Sequence, residues 1–128
     1  MAVPEQALWI RNYLEKRGIS KFIVVLSNWH KDHIAGNEIY KDSDIIAQSA
    51  TFETMLKNKA AIEAGELPAP PAINPLIMPN ITFESRLDIY VGDIKVELHH
   101  FNIHSPDGNR FTCLQTRSCF PATPWNTP

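Results

Sequence analysis

The run KFIVVLS, Lys21 to Ser27, constrains this chain more than any other stretch. It is short, β-branched and continuously apolar, which suits a strand covered on both faces rather than one with a wet side. Upstream, Pro4 fits the first turn of a helix, where its missing N–H costs nothing. Leu8, Ile10, Tyr13 and Leu14 recur near helical spacing, and Gly18 marks the stop. A helix feeding a doubly covered strand predicts an α/β layered fold. DIIAQ, Asp44 to Gln48, reads as a second strand.

Thr51 to Ala64 reads as one helix, with Thr51 as N-cap, Glu53 spaced to pair with Lys57, and Gly65 as its end. Glu66 to Asn80 carries five prolines and is expected to be an ordered crossing loop or a lid. Leu87 to Phe101 alternates around Gly92-Asp93, the signature of a two-residue hairpin. Asn102 to Asn109 has turn chemistry throughout.

With 128 residues, 44% hydrophobic and 20% charged, the chain suits one small soluble domain or part of a larger one. A net charge of −2 gives no basic footprint, so nucleic acid is not the expected partner. No apolar run approaches a membrane span, and the N-terminus lacks the pattern of a signal peptide. Cys113 and Cys119 are not spaced as a metal clip and read as two incidental thiols, so the compartment stays open.

The polar segment SNWHKDHIAGN, Ser27 to Asn37, follows the first strand immediately. In open α/β sheets, ligands gather at the carboxyl ends of strands. His30, Asp32 and His33 are ligand types a catalytic zinc prefers. The bland alternative is a polar loop in which Asp32 caps the next helix. Trp29 is expected to pack or to line a rim, and His99-His100 to be an ordinary strand end with one ring on each side. Gly36 is expected to let the backbone turn into the next helix.

This segment resembles the metallo-β-lactamase superfamily signature H-x-H-x-D-H, whose positions fall on Asn28, His30, Asp32 and His33. Ile34-Ala35-Gly36-Asn37 is similar to the turn that follows that signature. His104-Ser105-Pro106-Asp107-Gly108 resembles the next metal motif of the family. The resemblance implies an αββα metallo-β-lactamase-like sandwich, here incomplete at roughly the first half. It implies a partial domain over 1–109 and one or two zinc ions. His30 and His104 would hold the first zinc, and Asp32 and His33 the second, with Asp32 also orienting a zinc-bound hydroxide that attacks an ester- or amide-type bond. The implied partner is a small-molecule substrate, with Glu66 to Asn80 as a candidate rim loop. The alternative reading is a non-catalytic remnant or interaction module.

Two departures stand out. Asn28 occupies a histidine position, and a neutral amide oxygen is a poor zinc ligand beside imidazole. After Asn109 the text RFTCLQTRSCFPATPWNTP shows neither the family's further aspartate nor its last histidine, so 110–128 reads as an aberrant tail. Half a sandwich would leave an exposed apolar sheet face, inviting self-association. The hypothesis that accounts for the tail is a shifted reading frame. The codons for Phe120 to Asn126, read one frame over, permit Pro-Gly-Asp-Thr-Leu-Glu, and those for Arg110 to Gln115 permit Val-Tyr-Leu-Pro. Sequencing the coding DNA is expected to reveal a small insertion or deletion near the Arg110 codon; alignment in frame with intact relatives to the last codon would refute it.

Overall fold

A computed structural model describes residues 4–66 and 72–100 in full and residues 109–115 as backbone. Helix α1 spans Pro4–Glu15, with proline in its first turn, and the chain turns away at Gly18, whose φ is +86°. The helix is held to the body by Ala7, which is fully buried, and by Arg11. The Arg11 guanidinium donates to both carboxylate oxygens of Asp42 at 2.7 Å, to Glu15, and to the Ile39 carbonyl. It also lies over the rings of Phe22 and Tyr40. One planar fork thus ties α1 to the 3₁₀ turn Asn37–Tyr40 and its exit.

Strands β1 (Ile23–Val25), β2 (Asp44–Gln48) and β3 (Ile81–Phe83) form a parallel sheet in that order. Strands β4 (Arg86–Val91), β5 (Ile94–His100) and β6 (Asn109–Gln115) form an antiparallel sheet. The middle strand β2 is buried on both faces. Ile45 and Ala47 face a core shared with Ile34, Met55, Ile62 and Leu76. Ile46 faces the other way, into a core with Phe83 and Leu98, flanked by Leu87, Ile89 and Val96 of the hairpin. Helices on one side, the parallel sheet and the hairpin sheet therefore stack as three layers. The αββ part of the expected αββα sandwich is present, and the fold is incomplete.

Several expectations change in detail. The helix expected over 51–64 is two, α3 (Ser49–Lys57) and α4 (Lys59–Ala64), broken at Asn58. The Thr54 carbonyl accepts both the Asn58 backbone N–H at 3.1 Å and its side-chain amide at 2.8 Å, and Asn58 itself leaves helical geometry at φ −101° and ψ 7°. Thr51 is not the N-cap. It sits fully buried inside α3, and the Gln48 side-chain oxygen accepts from the Ala50 N–H instead. Gly65 does end the helix, at φ +75°. The strand expected over 21–27 is regular only over Ile23–Val25, although the Leu26 N–H still donates to the Ile46 carbonyl at 2.9 Å. β3 was not expected, being only three residues long. β6 pairs antiparallel with β5 from Asn109 to Gln115, on the edge of β5 that β4 leaves open.

The outward face of the hairpin carries a charged cluster beside an exposed Tyr90. Arg86, Asp88, Lys95, Glu97 and His99 alternate with the inward residues. Asp88 and Glu97 stand directly opposite each other, a repulsive pairing on its own. Arg86 reaches both carboxylates, at 2.9 and 3.2 Å, and Lys95 reaches both at 3.5 and 3.4 Å. The hydrogen bond from Arg86 holds the Asp88 carboxyl below its ordinary range; the His99 hydrogen bond, then Arg86 and Lys95, do the same for Glu97. Arg86, Asp88, Lys95 and Glu97 thus neutralise one another across the two strands.

Leu98 is fully buried between the sheets. Leu98→Ala is expected to destabilise by about 2–5 kcal/mol, read as a lower urea midpoint with an unchanged slope. The Arg11 hydrogen bond holds Asp42 down to about 2 from 3.8. A depressed carboxylate contributes stability above its unfolded value and loses it as pH falls through the folded one. The stability gap between the native chain and Asp42→Asn is therefore expected to be constant above pH 3.8 and to shrink toward pH 2, followed by thermal melts.

Candidate metal centre

The segment after β1 is shaped by hydrogen bonds before any ligand is considered. The Asn28 side-chain oxygen accepts the His30 N–H at 3.0 Å, an Asx-turn, and Asn28 is buried. This turn delivers His30, with φ −58° and ψ 146°, as the residue before the short helix α2 (Lys31–Ile34). The His33 N–H donates back to the His30 carbonyl at 2.8 Å. Ile34 is fully buried and Lys31 nearly so, which pins one side of α2 to the body. Asp32 and His33 are left turned outward, their side chains 67% and 40% exposed.

Gly36 has φ −87°, an ordinary right-handed value, so its turn does not call on glycine's conformational freedom. Asn37 is buried and donates to the Ile77 carbonyl at 3.1 Å, joining this segment to the loop at 72–80. Trp29 packs on the helix-side core, as expected, and its ring lies 5.2 Å from that of His30.

Of the four residues expected to bind metal, the structure brings two side by side. Asp32 Oδ2 and His33 Nε2 are 3.5 Å apart. Two donors on one tetrahedral zinc, with bonds near 2.0–2.1 Å, sit about 3.3–3.4 Å apart. The pair thus has the donor chemistry and the separation for two places on one ion. The His33 Nδ1 lies 3.1 Å from Ser27 Oγ. Among the described residues no group of three or more histidine, cysteine, aspartate or glutamate side chains is placed to hold a metal ion. His104 lies outside the described residues, as do the turn around it and Cys119.

Asp32 does not act as the helix cap. The N-cap position is His30, and no side chain caps it. Asp32 falls inside the helix, where a carboxylate meets the positive end of the backbone dipoles. The sequence reading missed the roles of Ser27 and Asn28. The signal available was a serine closing a strand six residues before a histidine. His99 behaves as a strand-end residue on the outward face, 3.0 Å from Glu97.

No protein-family model matches the sequence, and no curated protein matches it. Solved structures do. One is a Cronobacter sakazakii metallo-β-lactamase described by its HARLDQ motif, with TM-score 0.68 and 18% identity, covering 88% of this chain and 44% of that one. The fold is the metallo-β-lactamase fold, in part. BJP-1, a subclass B3 metallo-β-lactamase of Bradyrhizobium japonicum, matches with TM-score 0.65 at 18% identity over 88% of this chain and 44% of its own. LRA-12, a class B3 di-zinc metallo-β-lactamase from an Alaskan soil metagenome, gives the same figures. The chain spans less than half the length of these proteins. Among the described residues, no helix is long and apolar enough to cross a membrane.

Proposed function

We propose that this chain carries part of the centre of a zinc-dependent hydrolase of the metallo-β-lactamase superfamily, acting on an ester- or amide-type bond of a small molecule and impaired in its present form. The observation that carries the reading is the Asp32 and His33 pair, 3.5 Å apart beyond the carboxyl end of β1, on a fold shared with a protein described as a di-zinc metallo-β-lactamase. Bound there, zinc would supply Lewis acidity and an activated water at neutral pH. Asp32 and His33 would hold one ion, and His30 with His104 the other. Asp32, the more exposed of the pair, would also orient the attacking water. The loop at 66–80 would form a rim for the substrate.

Asn28 explains the impairment. Its oxygen is committed to the His30 N–H, so the position shapes the turn and leaves the first ion without a third imidazole. The HARLDQ string of the Cronobacter sakazakii structure also differs from the H-x-H-x-D-H pattern, at its third and sixth letters. This chain differs at the first. The second reading, a non-catalytic remnant or interaction module, draws on the described residues placing two donors together, short of the three ligands a catalytic zinc ordinarily takes from the protein.

The same geometry says how function would return. A histidine Nδ1 sits at the same bond count from the backbone as an asparagine Oδ1. With Nδ1 accepting the His30 N–H, the neutral ring would carry its proton on Nε2, so Asn28→His binds zinc through Nε2 only by giving up that turn bond. Zinc content by elemental analysis is expected to rise in Asn28→His relative to the native chain, with hydrolysis of a generic lactam or ester appearing alongside. Equal zinc content in the two would count against convergence of residues 28, 30 and 104. Zinc uptake with no hydrolysis in either would favour the second reading.

A further inference from the structure

Helix α1 turns two aromatic rings to the solvent. Ala7 and Arg11 hold one side of it to the body. Trp9 and Tyr13, two residues on from each, fall on nearly the opposite side and are 66% and 43% exposed. Their rings stack, with centroids 5.4 Å apart and planes 21° from parallel. Arg17 extends the stack past the end of the helix. Its guanidinium lies 3.6 Å from the centre of the Tyr13 ring and donates to the Tyr13 carbonyl at 3.3 Å. Glu5, exposed in the first turn, begins the same row. Glu5, Trp9, Tyr13 and Arg17 thus follow one another at intervals of four residues, with an acid at one end, a base at the other and two aromatics between. Glu15, the second acid of the helix, is held by Arg11.

Such a row complements itself. Rows of this spacing are the ridges through which helices most often pack. Reversed and laid against a copy of itself, the row sets Glu5 opposite Arg17 and Trp9 opposite Tyr13, each twice over. A two-fold axis requires that reciprocity, residue i meeting j and j meeting i. Laid parallel, the row would set Glu5 against Glu5 and Arg17 against Arg17. Tryptophan, tyrosine and arginine are also the side chains that most often carry the energy of an interface. We propose that two copies of this chain pair through α1, antiparallel, about an axis between Trp9 and Tyr13, with Glu5 of each copy against Arg17 of the other. One helix face is a small contact, so the dimer is weak and depends on protein concentration. An acidic partner or an anionic lipid surface would have a use for Arg17 but none for Glu5, whereas a reversed copy uses both ends. The inference is independent of the zinc reading, whose residues lie outside this row.

The test is sedimentation equilibrium of the full chain over a concentration series reaching the millimolar range, at low ionic strength, where surface pairs are least screened. The native chain is expected to pass from monomer to dimer. Trp9→Ala is expected to weaken the dimer about tenfold or more. Glu5→Lys alone and Arg17→Glu alone are each expected to weaken it about 3- to 10-fold, since two ion pairs are reversed per dimer. An equimolar mixture of those two variants is expected to regain native affinity, because each chain then meets its opposite charge at both ends. Tyr90→Ser, on the hairpin sheet, is expected to change nothing. All four substituted positions are exposed, so the far-UV circular dichroism of every variant is expected to match the native chain. A native chain that stays monomeric would overturn the proposal, and co-sedimentation of that monomer with anionic phospholipid vesicles would assign the helix to a lipid surface instead. A dimer indifferent to Trp9→Ala and to both charge reversals, a mixture no tighter than its components, or a dimer broken by Tyr90→Ser would each overturn it as well.

Discussion

The whole arrangement depends on β2 being buried from both sides. Ile45 and Ala47 close the core under the helices, while Ile46 meets Phe83 and Leu98. A strand with two dry faces leaves its backbone polar groups only lateral partners, and here both are parallel strands. β1 is thereby fixed in direction, and so is the point where it ends. The polar segment emerges from that end with no freedom to start elsewhere.

From there the chemistry is a matter of which side chains are anchored and which are released. Asn28 and Asn37 spend their amides on the backbone, and Ile34 is driven into the core. They convert a flexible stretch of polar residues into a turn and a single helical turn, from which Asp32 and His33 project. A departure from the family pattern at Asn28 has thus been absorbed into the architecture of the loop.

Much of this was legible in the sequence because it rests on period and position. The two-sided strand DIIAQ, the Gly92-Asp93 hairpin and the stop at Gly65 follow from local chemistry alone. The incomplete sandwich followed from the motif and the short text after it. What escaped depends on partners far along the chain. A helix whose spacing looked continuous is broken at Asn58, where backbone and side chain both donate to the Thr54 carbonyl. Thr51 looks like a cap until tertiary packing buries it. β6 escaped because Leu114 disturbs the alternation of Phe111 and Cys113, although the register sets those two opposite Leu98 and Val96. In the candidate site, the side-by-side pair of Asp32 and His33 was visible as adjacent residues. The contact of Ser27 with His33 needed the turn itself.

The charged outer surface of the hairpin has a consequence for assembly of the fold. Sliding β4 by one residue along β5 would carry Arg86 and Asp88 toward Leu98 and send Leu87 and Ile89 into water. Two forces, the dryness within and the alternating charges without, penalise the same slip. The pairing has one admissible alignment, and β6, which templates on β5, inherits it.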